Sequence, residues 1–230
     1  MKPVTEKNLE EAARSLIDSI TYYVPEFPDS KDKLFVSCHD FWELNACIYK
    51  SENLDAYADG YLDAAKLLSR IVIHSGRGMD TLIYPMIFLY RHYLELKLKK
   101  LIRIGADITG EEISADLEET LSGHNLMKLW NHFKPSFLEV CGHESDFNEV
   151  RKGVESYINQ IHSIDPESIT FRYDRSKDQK KHNLQEFKHI NVLHFYEAIE
   201  KLTTLIEGIE SEFLKVQDYC DEMKANYLSE

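Results

Sequence analysis

From residue 53 to residue 104 the apolar residues of this chain recur every three to four positions, and nowhere do they alternate in twos between hairpin turns. A step of three to four matches the 3.6-residue period of an α-helix, whereas alternation would mark a half-buried strand. The pattern predicts an all-α chain with little or no sheet. "NLDAYADGYLDAAKLLSRIVI", 53 to 73, reads as one long helix, and "HSGRGMD", 74 to 80, as a turn through its two glycines. A second long helix is expected from about Asp80 to Ile104. Pro85 is tolerated in its first turns, and Gly105 serves as its stop.

The same reading extends along the chain. Thr5 is suited to cap a helix over 6–21, with Leu9, Ala12, Ala13, Leu16 and Ile20 on one side, before Pro25 and Pro28 break it. Residues 37–50 suggest a short helix. Residues 106–123 are acidic and weakly apolar, and read as an exposed insertion. "HNLMKLWNHF", 124 to 133, is a short helix ended by Pro135, and 144–163 gives another. Residues 165–183 form a polar, charged loop. From Leu184 to Met223 runs one long helix or a broken pair, with Ile190, Leu193, Ile199, Leu202, Ile206, Ile209, Phe213 and Val216 as its apolar set. Amphipathic helices need one another's faces, so the expectation is a single domain, 1–230: a bundle of six to seven helices with an up-and-down core and a long C-terminal helix.

Composition narrows the function classes. Apolar residues make up 43% of 230, and no apolar run reaches 18, so a core is expected and a membrane span is not. The start, "MKPVTEKNLEEAARSL", lacks the apolar core of a signal peptide. Cys38, Cys47, Cys141 and Cys220 are scattered without a CxxC pair, as expected of reduced thiols in a cytoplasm, with Cys47 and Cys141 read as buried fillers. The net charge of −13 argues against broad coating of DNA and for solubility or a basic partner. No phosphate-binding glycine loop, dinucleotide fingerprint, HExxH or GxSxG occurs, and no metal-ligand set or cofactor is implied.

Three features carry candidate chemistry. In "FLYRHYLELKLKKLIRI", 88 to 104, Arg91 falls beside the stripe of Ile87, Leu94, Leu98 and Leu101, one turn from Glu95. It either snorkels to the rim with Glu95 as its partner, or points into a cleft toward an anion or another helix's carboxylate. In "GHNLMKLW", His124 or Asn125 caps a helix, or His124 is a site histidine titrating near neutrality. In "FRYDRSKDQKKH", 171 to 182, Phe171, Arg172, Tyr173, Asp174 and Arg175 interleave rings and charges, followed by Lys177, Lys180 and Lys181. Such a loop can stack a base and hold a phosphate. Equally, its rings can anchor the loop to the bundle while Arg172 pairs with an acidic helix.

Taken in order, "YRHYLELKLKKLI", "GHNLMKLW" and "FRYD" resemble the HEPN superfamily, in particular its bacterial HEPN-like branch. Lys97 and Lys99, His124 with Leu126, and Arg172 with Tyr173 match its Lys-rich helix, HxL helix start and RYP segment. Asp174 stands where proline is common. The matched stretches run from 84 to 174. The resemblance implies a helical bundle, a homodimer, and a place in bacterial defence or toxin–antitoxin systems. It also implies a metal-independent RNase arrangement, which Arg175, Ser176 and His182 satisfy by spacing. There His182 would act as general acid/base and Arg175 would stabilise the phosphorane charge.

Three functions follow as expectations. The first is a cytoplasmic HEPN-like component that binds a protein partner, a nucleotide or RNA, with Arg91, Glu95, His124, Arg172, Tyr173 and Asp174 on one face. The second is an endoribonuclease using Arg175 and His182. The third is a structural dimerisation module whose polar residues pair internally.

Overall fold

A computed structural model describes residues 27, 30–31, 33–37, 39, 45–48, 54–143, 146–175, 183–184 and 186–227. The chain divides into two compact units, Met1–Glu52 and Asn53–Glu230. In the first, the described residues form neither helix nor strand. The helix expected over 6–21 lies outside the described residues, as does most of the one expected over 37–50. Cys47, expected to be buried, is exposed.

The second unit is all-helical among its described residues. It comprises α1 (Leu54–Ser75), α2 (Met79–Thr109), α3 (Ala115–Ser122), α4 (Leu126–Cys141), α5 (Phe147–Ile164) and α6 (Val192–Tyr227). No described helix is long and apolar enough to cross a membrane. α1 buries Ala58, Leu62, Ala65, Ser69 and Val72, a clean run of three- and four-residue steps. α6 does the same with Ile199, Leu202, Ile206, Ile209 and Phe213. α2 is the hub, packed by α1, α4 and α6. From Tyr90 to Ala106 nearly every residue of α2 is buried or half-buried, the charged ones included. Full burial of a Leu or Phe contributes roughly 1.5–3 kcal/mol, so a helix with neighbours on three sides is held firmly. It has no free side to which a charge could escape.

An aromatic cluster ties α4 to its neighbours. Trp130, Phe133 and Phe137 of α4 meet Phe213 of α6 at 5.2 Å from Phe133, and Phe147 of α5 at 4.9 Å from Phe137. These are ordinary separations for favourable ring pairs.

Several expected boundaries move, each for a physical reason. Gly105 does not stop α2. A Cβ there would come within 2.7 Å of Ser136 of α4, so the glycine is used for close helix approach. The stop is Gly110, at φ 69°, whose N–H reaches back to the Ala106 carbonyl. Pro135 does not end α4 either. It forfeits one ladder bond, but Phe137 beyond it is buried, and continuing the helix completes the aromatic cluster. The 106–123 stretch is no plain insertion: its first residues finish α2, and Ala115–Ser122 forms α3, capped by Ser114 and burying Thr120 and Leu121. α6 is a single helix that begins only at Val192, leaving Leu193 largely exposed.

Candidate functional site

Arg91 is 1% exposed, so it does not snorkel. Its guanidinium is spent on internal acceptors. Nη1 donates to Glu95 Oε2 at 3.0 Å, Nη2 to the His124 carbonyl at 2.6 Å, and Nε to the Asp165 carbonyl at 3.2 Å. Asp165 Oδ2 lies 3.3 Å from Nε as an ion pair, though Nε aims its hydrogen at the carbonyl. The planar fork of donors lets one side chain satisfy partners from three segments.

Glu95 is equally enclosed. Its second oxygen, Oε1, accepts from Lys99 Nζ at 2.9 Å and lies 2.8 Å from His124 Nδ1. Burial by itself would raise the Glu95 carboxyl. Lys99 and His124 outweigh burial, and the carboxyl titrates below its ordinary range. Asp165, which follows α5, uses Oδ1 to accept the amides of Ile169 at 2.6 Å and Thr170 at 3.0 Å. It thereby shapes the turn that carries Arg172. Ser168 in that turn adopts a left-handed φ of 60°, a conformation most side chains avoid.

His124 does not cap α4; Asn125 does, through Oδ1 and the Lys128 amide at 2.9 Å. The His124 ring is 54% exposed and leans on Glu95 instead. Beside this cluster, His92 stacks on Phe88 at 5.7 Å and meets Tyr61 edge-on at 4.4 Å. Burial lowers the His92 pKa and overcomes the opposite pull of Glu95, so the ring stays neutral at pH 7.

Arg172 is arranged differently from Arg91. Its Nε donates to the Ser168 carbonyl at 2.5 Å, and its guanidinium lies 5.5 Å from the Phe88 ring centre and 5.6 Å from that of Tyr173. It has no carboxylate partner among the described residues. The expected pairing of Arg172 with an acidic helix is therefore replaced by a stack of rings. Phe171 is buried and acts as the anchor, while Tyr173 stays 59% exposed.

Arg172, Tyr173 and Asp174 border a groove of about 630 Å³, completed by the first turns of α2 and the segment before α6. Asn183 bridges the rim, its backbone N–H donating to the Asp174 carbonyl at 2.9 Å and its side-chain Nδ2 to the Tyr173 carbonyl at 2.8 Å. The expected single face thus resolves into two neighbouring groups. Arg91, Glu95 and His124 form a closed network; Arg172, Tyr173 and Asp174 form a groove wall. Asp165 joins the two. Arg175 lies at the edge, its Nε 3.9 Å from Asp174, and His182 and Ser176 lie outside the described residues.

A second, partly buried ionic cluster sits on the opposite flank of α2. Lys97 and Lys100 both reach Glu210 of α6 at 2.8 Å, and Lys100 reaches Asp55 of α1 at 2.6 Å. Burial acts to lower the Lys100 pKa, but Asp55 and Glu210 outweigh it and raise it. Of the two lysines matched to the HEPN pattern in the sequence, Lys97 ties α2 to α6 through Glu210, whereas Lys99 pairs with Glu95 of its own helix. The sequence reading missed Asp165, His92, Tyr84, Phe187 and Lys188. Only the Asp-Pro pair right after α5 offered a signal, since an aspartate there is suited to hold the following amides.

No group of three or more potential metal ligands occurs among the described residues. Comparison with family models, curated proteins and solved structures gives no match to this chain.

Proposed function

We propose that this chain is a HEPN-like helical component that binds a phosphate-bearing aromatic ligand, a nucleotide or RNA, in the groove around Arg172. The observation that carries the reading is the contrast between two arginines. Arg91 is consumed by internal acceptors, whereas Arg172 is fixed by one carbonyl and two rings and has no carboxylate partner among the described residues. A guanidinium immobilised in a groove beside exposed rings loses little freedom when it meets a phosphate. Leu184, which lines the groove, and Ser168, which holds Arg172, are the non-glycine residues with left-handed backbone among those described. Such conformations gather at functional sites. The motif resemblance supplies the biological setting: a homodimer in a bacterial defence or toxin–antitoxin system.

Thermal unfolding with nucleotides and short RNAs tests this. At a ligand concentration of 100 Kd, binding to the folded state contributes about 2.7 kcal/mol, or roughly 5–11 °C for a chain of this size. Arg172→Ala should abolish the shift. No shift with any ligand would sink the reading. The same RNA incubated in chelator with wild type and His182→Ala reports on cleavage by the Arg175–His182 pair.

A second reading, a structural dimerisation module, is favoured by the closed Arg91 network. Sedimentation showing a dimer together with an absence of any ligand shift would select it.

A further inference from the structure

We propose that the occupant of the groove is a single strand of nucleic acid, held by at least two consecutive nucleotides rather than as a free mononucleotide. This rests on the Arg172 reading and adds the length of the ligand.

The groove offers more stacking surface than one base can use. Tyr84 in the second turn of α2, Tyr173 after α5 and Phe187 before α6 all border it, and they are 46%, 59% and 46% exposed. The same chain buries Phe133, Phe137, Phe171 and Phe213 almost completely. Leaving three rings in water on three separate segments forgoes burial that would stabilise the fold. One base has two faces and can stack on at most two rings, so the third calls for a second base, which a strand brings.

The cations are divided in the same way. Arg172 and Lys188 come from different segments, and neither has a carboxylate partner among the described residues. A mononucleotide concentrates its phosphate at one end, while a strand presents one phosphate per base. Two carboxylates also border the groove. Asp80 sits in the first turn of α2, where free helix amides offset its charge, and Asp174 lies 3.9 Å from Arg175. Both can accept from the exocyclic amines of bases. A duplex is disfavoured, because its base faces are hidden and the chain is strongly acidic. Rings plus separated cations are the means by which proteins hold single strands.

The test is calorimetric titration of the full chain with oligoadenylates of one to six nucleotides, as RNA and DNA series, at two salt concentrations. Affinity should climb at least about fivefold per nucleotide over the first two or three and then level off. Two phosphate contacts should give a slope of log affinity against log salt near −1.4, at about −0.7 per contact for single strands. Tyr84→Ala and Lys188→Ala should each flatten the climb. Tyr57→Ala, an exposed ring of α1 outside the groove, should leave it unchanged. Whichever sugar series shows the climb identifies the strand. A mononucleotide that binds as tightly as the hexamer overturns this inference and leaves the Arg172 reading intact. Absence of binding at every length overturns both.

Discussion

Replacing Arg91 by methionine tests how the centre of this bundle is held. Methionine keeps the apolar stem and removes the guanidinium. Three hydrogen bonds and the ion pair to Asp165 disappear. Glu95 retains Lys99 and His124, so its carboxylate stays partnered. Asp165 fares worse: Oδ1 keeps the Ile169 and Thr170 amides, but among the described residues Oδ2 has no hydrogen-bond donor and no cation other than Arg91. The carbonyls of His124 and Asp165 also lose the donor that satisfies them. Breaking a buried pair by deleting one partner costs about 3–5 kcal/mol, against a total stability of about 5–15 kcal/mol for a typical domain. Urea unfolding followed by tryptophan fluorescence and circular dichroism reads the loss as a lower midpoint at unchanged m-value. Adding Asp165→Asn should restore part of it, with a coupling of at least about 1 kcal/mol in a double-mutant cycle. A loss below about 1 kcal/mol for Arg91→Met would mean that the side chain lives at the solvent rim, and the buried-network argument would fall.

Two further outcomes follow from the geometry. Glu95 and His92 titrate below their ordinary values in the folded chain, so each contributes stability that is complete above its unfolded pKa and is lost on acidification; Lys100 titrates above its own, so its contribution is lost as pH rises. Burial holds the Tyr90 and Tyr93 phenols above their ordinary range, so their contribution is also lost as pH rises. Urea midpoints should therefore be flat between about pH 6.5 and 10, fall on acidification first with His92 and again below about 4.3 with Glu95, and fall on the alkaline side with the two tyrosines and Lys100; a midpoint that rises from pH 7 to 5 contradicts this. Gly105→Ala should destabilise by about 1–3 kcal/mol through overpacking against Ser136, with partial recovery in Gly105→Ala/Ser136→Gly. A gain in stability of about 1 kcal/mol, the helix-propensity effect alone, would refute the close approach.

The helices were legible because their burial follows a local period. Ile199, Leu202, Ile206 and Ile209 announce the face of α6 without help from the rest of the chain. Asn125 was legible as a cap because capping is local too. Gly105 and Pro135 misled for one reason: each is locally a breaker, and each is overruled by a neighbour distant in sequence, Ser136 for the first and the aromatic cluster for the second. Arg91 showed the same limit. Its pairing with Glu95 is a helical spacing and could be read, whereas its bonds to His124 and Asp165 depend on how α2 meets the start of α4 and the end of α5. The divergence of Arg91 and Arg172 was beyond reach for that reason, since each is an arginine beside aromatic residues with a carboxylate nearby in sequence, and only packing shows which acceptors each one meets.

One guanidinium grips both the segment that opens α4 and the turn that carries Arg172. These two stretches therefore share one anchor, and losing it would release both at once. The groove wall is tied to the bundle's centre through a side chain that does not line the groove. Sequence drift in the groove wall would alter only the lining, whereas drift at Arg91 would change whether there is a wall at all.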